Sequence, residues 1–524
     1  MNPEVLLKIS KIFLYAAIFS VIFVLPSTFF PFIGIKYYVF RVIVELALIF
    51  VLVYWGFFDK ANHIWTRLKK VASSPIFIAV SLFVLMSLLA SVFAVDSSSA
   101  FWSNFERGDG TFQLLHYYIF FILLLVLLKD REDWKWAMRL SLVAAALLIL
   151  YGVFAQLGWD NRLISPYRTE SPPTTWGKIT SARFQGSLGN PSYVAPYLLF
   201  SLFYVLYLWF HRDLKPKAFV AAGSILLSLS IIATYLFTTI TTTPGSFPPS
   251  SIFLLVLGLL SLIGSLVYSF YKKEYFSLLY GFLTWVFSFF LILSQTRGAI
   301  MALVVGAAVF LVHLVFFLPK AWKKGSFAVL VVLLLTTGSL YYYRHSTFVQ
   351  NLPGSRVLDL FDQGTKTDSV QTRLWTWGSA WKGFKERPIF GWGQENFSLV
   401  FDKHFDPRHY KPGQVSETWF DRAHSVIFDY LSETGILGFL SYLGMFVILF
   451  WRIIKNWHHG FVYRDDREVG RFQPIFLRGL FIIIPMAYLI QGLALFDVLP
   501  IFINLFFFLA LSSYHLDIKN EHHT

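Results

Sequence analysis

One histidine and a few arginines stand apart in a chain that is otherwise largely apolar. His424 closes the segment FDRAH (Phe420–His424), with Asp421 three residues before it. Imidazole serves as a general base only in its neutral form. The pattern predicts His424 in the first turn of a helix capped by Asp421. There the positive end of the helix dipole disfavours imidazolium, while the Asp421 carboxylate pulls the other way. Arg297 stands in SQTRGA (Ser294–Ala299), between two apolar runs with almost no loop between them. Arginine this near hydrocarbon is unfavourable unless it is paired or lines a polar cavity. Its planar fork keeps its proton and suits a phosphate. Arg373 offers the same chemistry, and Arg183 and Arg107 lie in two further polar stretches. The plainer readings are an interfacial histidine, a snorkelling anchor and headgroup-facing arginines. Together, arginines and a neutral base suggest a pocket for a pyrophosphate. Cleaving a sugar from a lipid pyrophosphate leaves negative charge on the departing phosphate, which fixed cations stabilise. Asp421, Arg422, Trp377 and Asn190 are the supporting candidates.

Composition removes several other chemistries. The chain has 524 residues, 56% apolar and only 14% charged, with no cysteine. Disulfides, thiolate catalysis and Cys-ligated metal are therefore excluded. The net charge of +14 lies between apolar runs, where it sets membrane topology rather than binding nucleic acid. No P-loop is present. His404 and His409, with Asp406 between them, do not form a zinc-type motif. The expectation is no metal and no cofactor. Glu45, one turn after Arg41, reads as a structural ion pair within the second span. The first apolar run lacks a small-residue cleavage site and reads as a retained helix rather than a signal peptide.

The elements that must position these residues are membrane helices. Many apolar runs approach the roughly 20 residues needed to cross a bilayer. Fourteen are read, at about 10–29, 37–57, 75–95, 112–128, 135–157, 191–210, 217–238, 251–271, 276–295, 299–318, 326–343, 433–454, 474–493 and 499–514. The fold class is an all-α polytopic membrane protein of about 12–14 helices with one large, partly helical extracytoplasmic loop. The division is 1–343, a transmembrane bundle of about 11 helices; 344–433, the loop; and 434–524, the last helices with a short cytoplasmic tail. Lys60, Arg67, Lys69, Lys129, Arg131, Arg212, Lys272, Lys323 and Arg452, with Arg464, Arg467 and Arg471, fall in alternate gaps. TTTPGSFPPS (Thr241–Ser250), in an opposite gap, has none. Both termini are then cytoplasmic. Ser99–Phe112, Ala182–Leu199, Ser294–Ala299 and the large loop share the other face. Within the loop, Val370, Leu374, Trp377, Trp381 and Phe384 form one apolar stripe, predicting an amphipathic interfacial helix capped by Asp368 or Ser369 and ended by Pro388. GWGQENF (Gly391–Phe397) reads as a turn, and Gly435 as a helix stop. Asp497 is placed to cap a helix or to reach the pocket.

The order SQTRGA, Arg373 with Trp377, RPIFGWGQENF and FDRAHSVIFDYLSETGILGFLSYL resembles the O-antigen ligase and polymerase superfamily. That superfamily also holds the PglL-type protein O-oligosaccharyltransferases. FWSNFERGDGTF and GSLGNPSYVAPYLL are similar to loop motifs of its ligase-like members, and Ser425 stands where Asn often follows the histidine. The resemblance implies a metal-independent glycosyltransferase of the GT-C type in the bacterial cytoplasmic membrane. The donor would be an undecaprenyl-pyrophosphate-linked glycan, with its tail between helices and its pyrophosphate on Arg297 and Arg373. His424 would deprotonate an acceptor hydroxyl on a glycolipid, protein or polymer. A polymerase shares this chemistry and differs only in the acceptor. A lipid-linked glycan flippase is the rival of another class, and it would spread polar residues through the bilayer rather than gather them at one face.

Overall fold

The computed structural model describes residues 3–518 apart from 26, 29, 105–106, 158–182, 213–214, 242–248, 351, 365–366, 411–417 and 457–472. The basic residues Arg464, Arg467 and Arg471 and most of the Thr241–Ser250 gap lie outside the described residues. Among those described the chain is helical, with no strand. Thirteen helices among the described residues are long and apolar enough to span a membrane. The protein is an all-α multi-pass membrane protein.

The first six helices are α1 (Glu4–Ala17, continued by a 3-10 turn to Ile22), α2 (Gly34–Phe57), α3 (His63–Ala72), α4 (Pro75–Val92), α5 (Ser97–Trp102) and α6 (Thr111–Leu127). Next come α7 (Arg131–Leu157), α8 (Pro191–Phe210), α9 (Pro216–Thr241), α10 (Pro249–Lys272), α11 (Tyr275–Leu293), α12 (Arg297–Phe317) and α13 (Lys320–Tyr342). The loop carries α14 (Asp368–Glu386) and α15 (Phe397–Lys403), and the chain closes with α16 (Val426–Lys455), α17 (Gln473–Gly492) and α18 (Leu499–Ser513). Each of the fourteen apolar runs has its helix. α6, with 17 residues, falls just short of the spanning length and is largely buried.

α18 is the axis of the bundle, with every residue from Leu499 to Ser513 buried. A helix that is apolar all round belongs inside a bundle. Its phenylalanines meet Tyr117 and Phe121 of α6, Trp134 of α7, and Phe203 and Tyr204 of α8. Asn504, its one amide, accepts from the Tyr204 hydroxyl at 2.7 Å and donates to the Pro500 carbonyl at 2.6 Å, which keeps its polar atoms satisfied. The antiparallel pair α9–α10 and helix α13 lie at the periphery.

Polar caps start the helices that reach the functional end. Asn190 accepts from Ser192 N at 2.8 Å with Pro191 as the first helical residue of α8. Asp96 accepts from Ser98 N and Ser99 N, both at 3.0 Å, to start α5. One expected ion pair is replaced. Arg41 does not bind Glu45 but donates to Gln113 Oε1 at 2.6 Å and to the Gly108 carbonyl, while Glu45 faces His116 Nε2 at 2.8 Å. Tertiary partners on α6 and the preceding loop outcompete a pairing along one helix.

Candidate active site

The polar stretches expected to share one face do meet at one end of the bundle. GWGQEN threads between the first stretch and the start of α16. Trp392 N donates to Ser432 O at 2.9 Å, Gly393 N to Glu433 O at 2.8 Å, and Val95 N to Trp392 O at 2.9 Å. Gly391 (φ +70°) and Gly435 (φ +64°) lie back to back. A Cβ on Gly391 would sit 2.4 Å from the Glu433 carbonyl carbon, and one on Gly435 2.4 Å from Ile389 O. Both positions require glycine for conformation and for space. Gly435 does stop the helix: its backbone is non-helical, and the chain restarts a helix immediately. The polar side chains of the motif serve the same junction. Gln394 accepts from Thr111 Oγ1 at 2.9 Å, and Asn396 donates to Asp96 O at 3.1 Å.

Behind this junction lies an ionic cluster centred on a buried arginine. Arg422 is 6% exposed. Its guanidinium contacts Glu395, Glu433 at 3.2 Å and Asp109 at 3.7 Å. Arg107 pairs with Asp421. Asp429 Oδ1 accepts from Ala423 N at 2.6 Å. Burial pushes the Asp109 carboxyl up to about 6 against the pull of Arg422 and Arg107. Burial likewise pushes Asp497 up to about 7; Asp497 accepts from Tyr488 OH at 2.5 Å and does not cap α18, whose N-cap is Val498.

His424 sits at the edge of this cluster. It precedes α16, whose N-cap is Ser425, and so is not in the helix as expected; Asp421 is engaged by Arg107 instead of capping. The His424 backbone is left-handed, φ +58°. For a β-carbon residue that conformation is disfavoured by about 1–2 kcal/mol and is held here by surrounding contacts. Nδ1 lies 3.2 Å from Arg422 O. A carbonyl only accepts, so Nδ1 carries the hydrogen and Nε2 keeps its lone pair. Phe420 and Phe496 meet the ring edge-to-face at 5.5 Å and 5.1 Å. Burial lowers the imidazole to about 4; the Arg422 carbonyl opposes this, and the Arg373 charge adds to it. Neutrality thus comes from burial, not from the helix dipole. Trp377 supports the segment: Nε1 donates to Ala423 O at 3.0 Å, and its ring stacks on Phe428.

Beside His424 opens a pocket of about 130 Å³ lined by arginines 183, 297, 356 and 373 together with Ser192, Gln295, Thr296, Gln491 and Leu495. No Asp or Glu is among the described residues lining it. The two features share a wall: Val426 N donates to Leu495 O at 3.1 Å, and the next residue, Phe496, packs on His424. Arg183 donates from Nε to Ser294 O at 3.0 Å, and Arg297 Nη1 to Ser369 Oγ at 3.3 Å. Burial lowers the Arg183 pKa, and the charges of Arg356, Arg373 and Arg297 lower it further.

Farther along α12 and α17 lies an apolar cavity of about 220 Å³, lined among others by Ala302, Gly306, Ile484 and Ala487. Ala302 and Gly306 follow Arg297 by five and nine residues, about 8 and 14 Å at 1.5 Å per residue. The apolar cavity therefore begins within two turns of Arg297 along α12.

The structure thus gathers Arg183, Arg297 and Arg373 beside His424. Arg107 is not in that lining; it lies over the Phe496 ring and pairs with Asp421. α14 forms as predicted, though its N-cap is Thr367 and its buried face is Thr376, Ser379, Ala380 and Gly383, not the apolar stripe. Leu374 and Trp381 of that stripe are exposed. The small residues let α14 approach its neighbours closely: Gly383 leaves only enough space for Val400. His404 pairs with Glu386, and His409 is packed against Trp375 and Phe420. Glu395, Glu433, Asp429, Phe496 and Arg356 are additions that sequence reasoning missed. The tight Gly-rich spacing around Glu395 and Glu433 was the available signal.

Residues 282–443, from α11 through the loop into α16, match the family described as O-Antigen ligase. The likeness to O-antigen ligases lies in this segment. The segment holds Arg297, Arg356, Arg373, Arg422 and His424, so most of the site falls within the match. An "Uncharacterized protein" of Haemophilus influenzae is 24% identical over 194 residues, 36% of this chain and 46% of that protein's length. The chain therefore spans less than half of this curated relative. The match supports a multi-pass membrane protein similar to O-antigen ligases over these residues.

Proposed function

We propose that the protein is a membrane glycosyltransferase that moves a glycan from an undecaprenyl-pyrophosphate carrier to an acceptor hydroxyl. The observation that carries this reading is the arginine pocket beside a neutral His424, with an apolar cavity farther along α12 and α17. The pyrophosphate lies among Arg183, Arg297 and Arg373, and the lipid tail follows the cavity between α12 and α17. The acceptor O–H gives its proton to His424 Nε2, and the oxygen attacks the anomeric carbon. The bond from that carbon to the phosphate oxygen breaks, and the lipid pyrophosphate leaves with the electron pair. Attack from the face opposite the leaving group inverts the anomeric centre. Fixed guanidiniums supply the charge stabilisation that a metal supplies elsewhere, so the reaction is metal-independent and of the GT-C type. The site faces the extracytoplasmic side of the bacterial cytoplasmic membrane, with both termini inside. The segments 1–343, 344–433 and 434–524 act as bundle, catalytic loop and closing helices.

A flippase is less well supported. Aromatic residues of α18 fill the bundle axis, and the described lining of the apolar cavity carries no charge. The test uses protein in nanodiscs with an undecaprenyl-pyrophosphate glycan, offered a glycolipid, a Ser-rich peptide or no acceptor, with product masses followed. Transfer to one added acceptor, abolished in His424→Ala and His424→Gly, supports the ligase or O-oligosaccharyltransferase reading. The glycine variant keeps the left-handed backbone without strain, so its inactivity reports chemistry. A ladder of lipid-linked polymers without acceptor makes the enzyme a polymerase. Near wild-type turnover in both variants removes His424 from the mechanism.

A further inference from the structure

Arg356 belongs to the part of the loop nearest α13, far in sequence from the motifs around His424. Arg356 is itself exposed, and the contacts that fix its position are made by its neighbours in the chain. The turn at Gly354 (φ +85°) docks on α11 and α12 so closely that a Cβ there would lie 3.1 Å from Ile300 and 3.3 Å from Ile292. Ser355 Oγ donates to Gln350 O at 2.9 Å, and Val357 N to Gly354 O at 3.0 Å, which closes the turn. Arg344 Nε donates to Asp362 Oδ1 at 2.5 Å and ties the segment back to the end of α13. The result is a fourth arginine facing the pocket, drawn from a fourth separate segment. Of the three neighbouring arginine charges that act against Arg183, that of Arg356 acts most strongly. Like charges held together by a folded loop repel. They are stabilised by a ligand with more than one negative group. A single phosphate is spanned by two guanidinium forks, each bidentate. Four arginines therefore match two linked phosphates.

We propose that Arg356 is a specificity-determining residue that makes the pocket prefer two linked phosphates over one. This rests on the pyrophosphate-donor reading given above. It also separates the carrier pyrophosphate from the polyprenyl monophosphate of the same bilayer, which shares the tail and would compete for the cavity.

The experiment measures binding to the full chain in nanodiscs. The probes are a polyprenyl pyrophosphate, the polyprenyl monophosphate of the same length, and inorganic pyrophosphate. The proteins are wild type, Arg356→Gln and Arg297→Gln. Wild type is expected to bind the lipid pyrophosphate at least about tenfold more tightly than the monophosphate. Arg356→Gln is expected to lose most of that preference while its monophosphate affinity stays within about twofold. Its ligand-free thermal unfolding is expected to be unchanged or higher, because a repelling charge has gone. That combination is one that loss of fold cannot produce. The same Arg356 dependence with inorganic pyrophosphate shows that the phosphates alone are read; dependence only with the lipid shows that the tail is needed to seat them, and either outcome supports the proposal. Arg356→Gln with wild-type affinities for all probes, while Arg297→Gln binds poorly, overturns the role of Arg356 and leaves the donor reading standing. Wild type that binds neither lipid overturns both.

Discussion

Arg422 and Arg297 lie at the same end of the bundle with the same charge, in opposite surroundings. Arg422 is buried among Glu395, Glu433 and Asp109, with Asp429 and the Arg107–Asp421 pair alongside. Arg297 shares an open pocket with three other arginines. In the first region, charge is consumed within the protein: it joins the loop to α16 and to the first polar stretch. In the second, four arginines line one pocket with no carboxylate among its described lining residues. The lesson is that a buried arginine near a histidine is not by itself a substrate ligand. Arg422 is surrounded by carboxylates, whereas the described lining around Arg297 holds other arginines.

The comparison predicts opposite phenotypes. Arg422→Met leaves buried carboxylates without their cation and is expected to destabilise the protein by about 3–5 kcal/mol. Thermal unfolding in detergent measures this, and a wild-type melting curve would remove the structural role. Arg297→Lys is expected to melt like wild type yet lose about a hundredfold or more in glycan transfer, because a point charge does not reproduce a planar fork. Turnover and donor affinity both unchanged would reduce Arg297 to an anchor. Gly391→Ala, forced into a left-handed backbone against the Glu433 carbonyl, is expected to lose about 1–3 kcal/mol of stability, read in the same melt.

The effect of pH falls on the residue between the two regions. With its imidazole lowered to about 4, His424 stays neutral at pH 5.5, where an ordinary histidine is roughly 90% protonated. The acid limb of the transfer rate assigned to His424 is therefore expected near 4, and a limb near 6.5 would contradict its burial. The same shift has a stability consequence. As pH falls from 6.5 towards 4 the unfolded chain takes up the proton first, so stability from this residue declines across that window. The smallest effect is expected for Trp377→Phe, which removes one hydrogen bond to Ala423 O, about 1 kcal/mol. A small loss of turnover with little change in melting is the expected signature of a residue that positions His424.

The helices were legible because hydrocarbon imposes length and apolarity on any span, and each of the fourteen runs has its helix. His424, Arg297 and Arg373 were legible because ionisable residues are rare in such a chain and each interrupts a recognisable pattern. What encloses them was not. Arg41 and Glu45 have the spacing of a helical pair, but α6 supplies a better partner to each. Asp421 has the type and position of a cap, but Arg107, more than three hundred residues away in sequence, takes it. The stripe on α14 marks an apolar face, yet small residues on another face let it pack. Sequence alone determined the class of protein, its spans and the rarity of its ionisable residues, because these follow from local composition against a lipid solvent. Only the tertiary structure decided which arginines are neutralised and which stand together, because ion pairing depends on contacts between distant segments that no local pattern encodes.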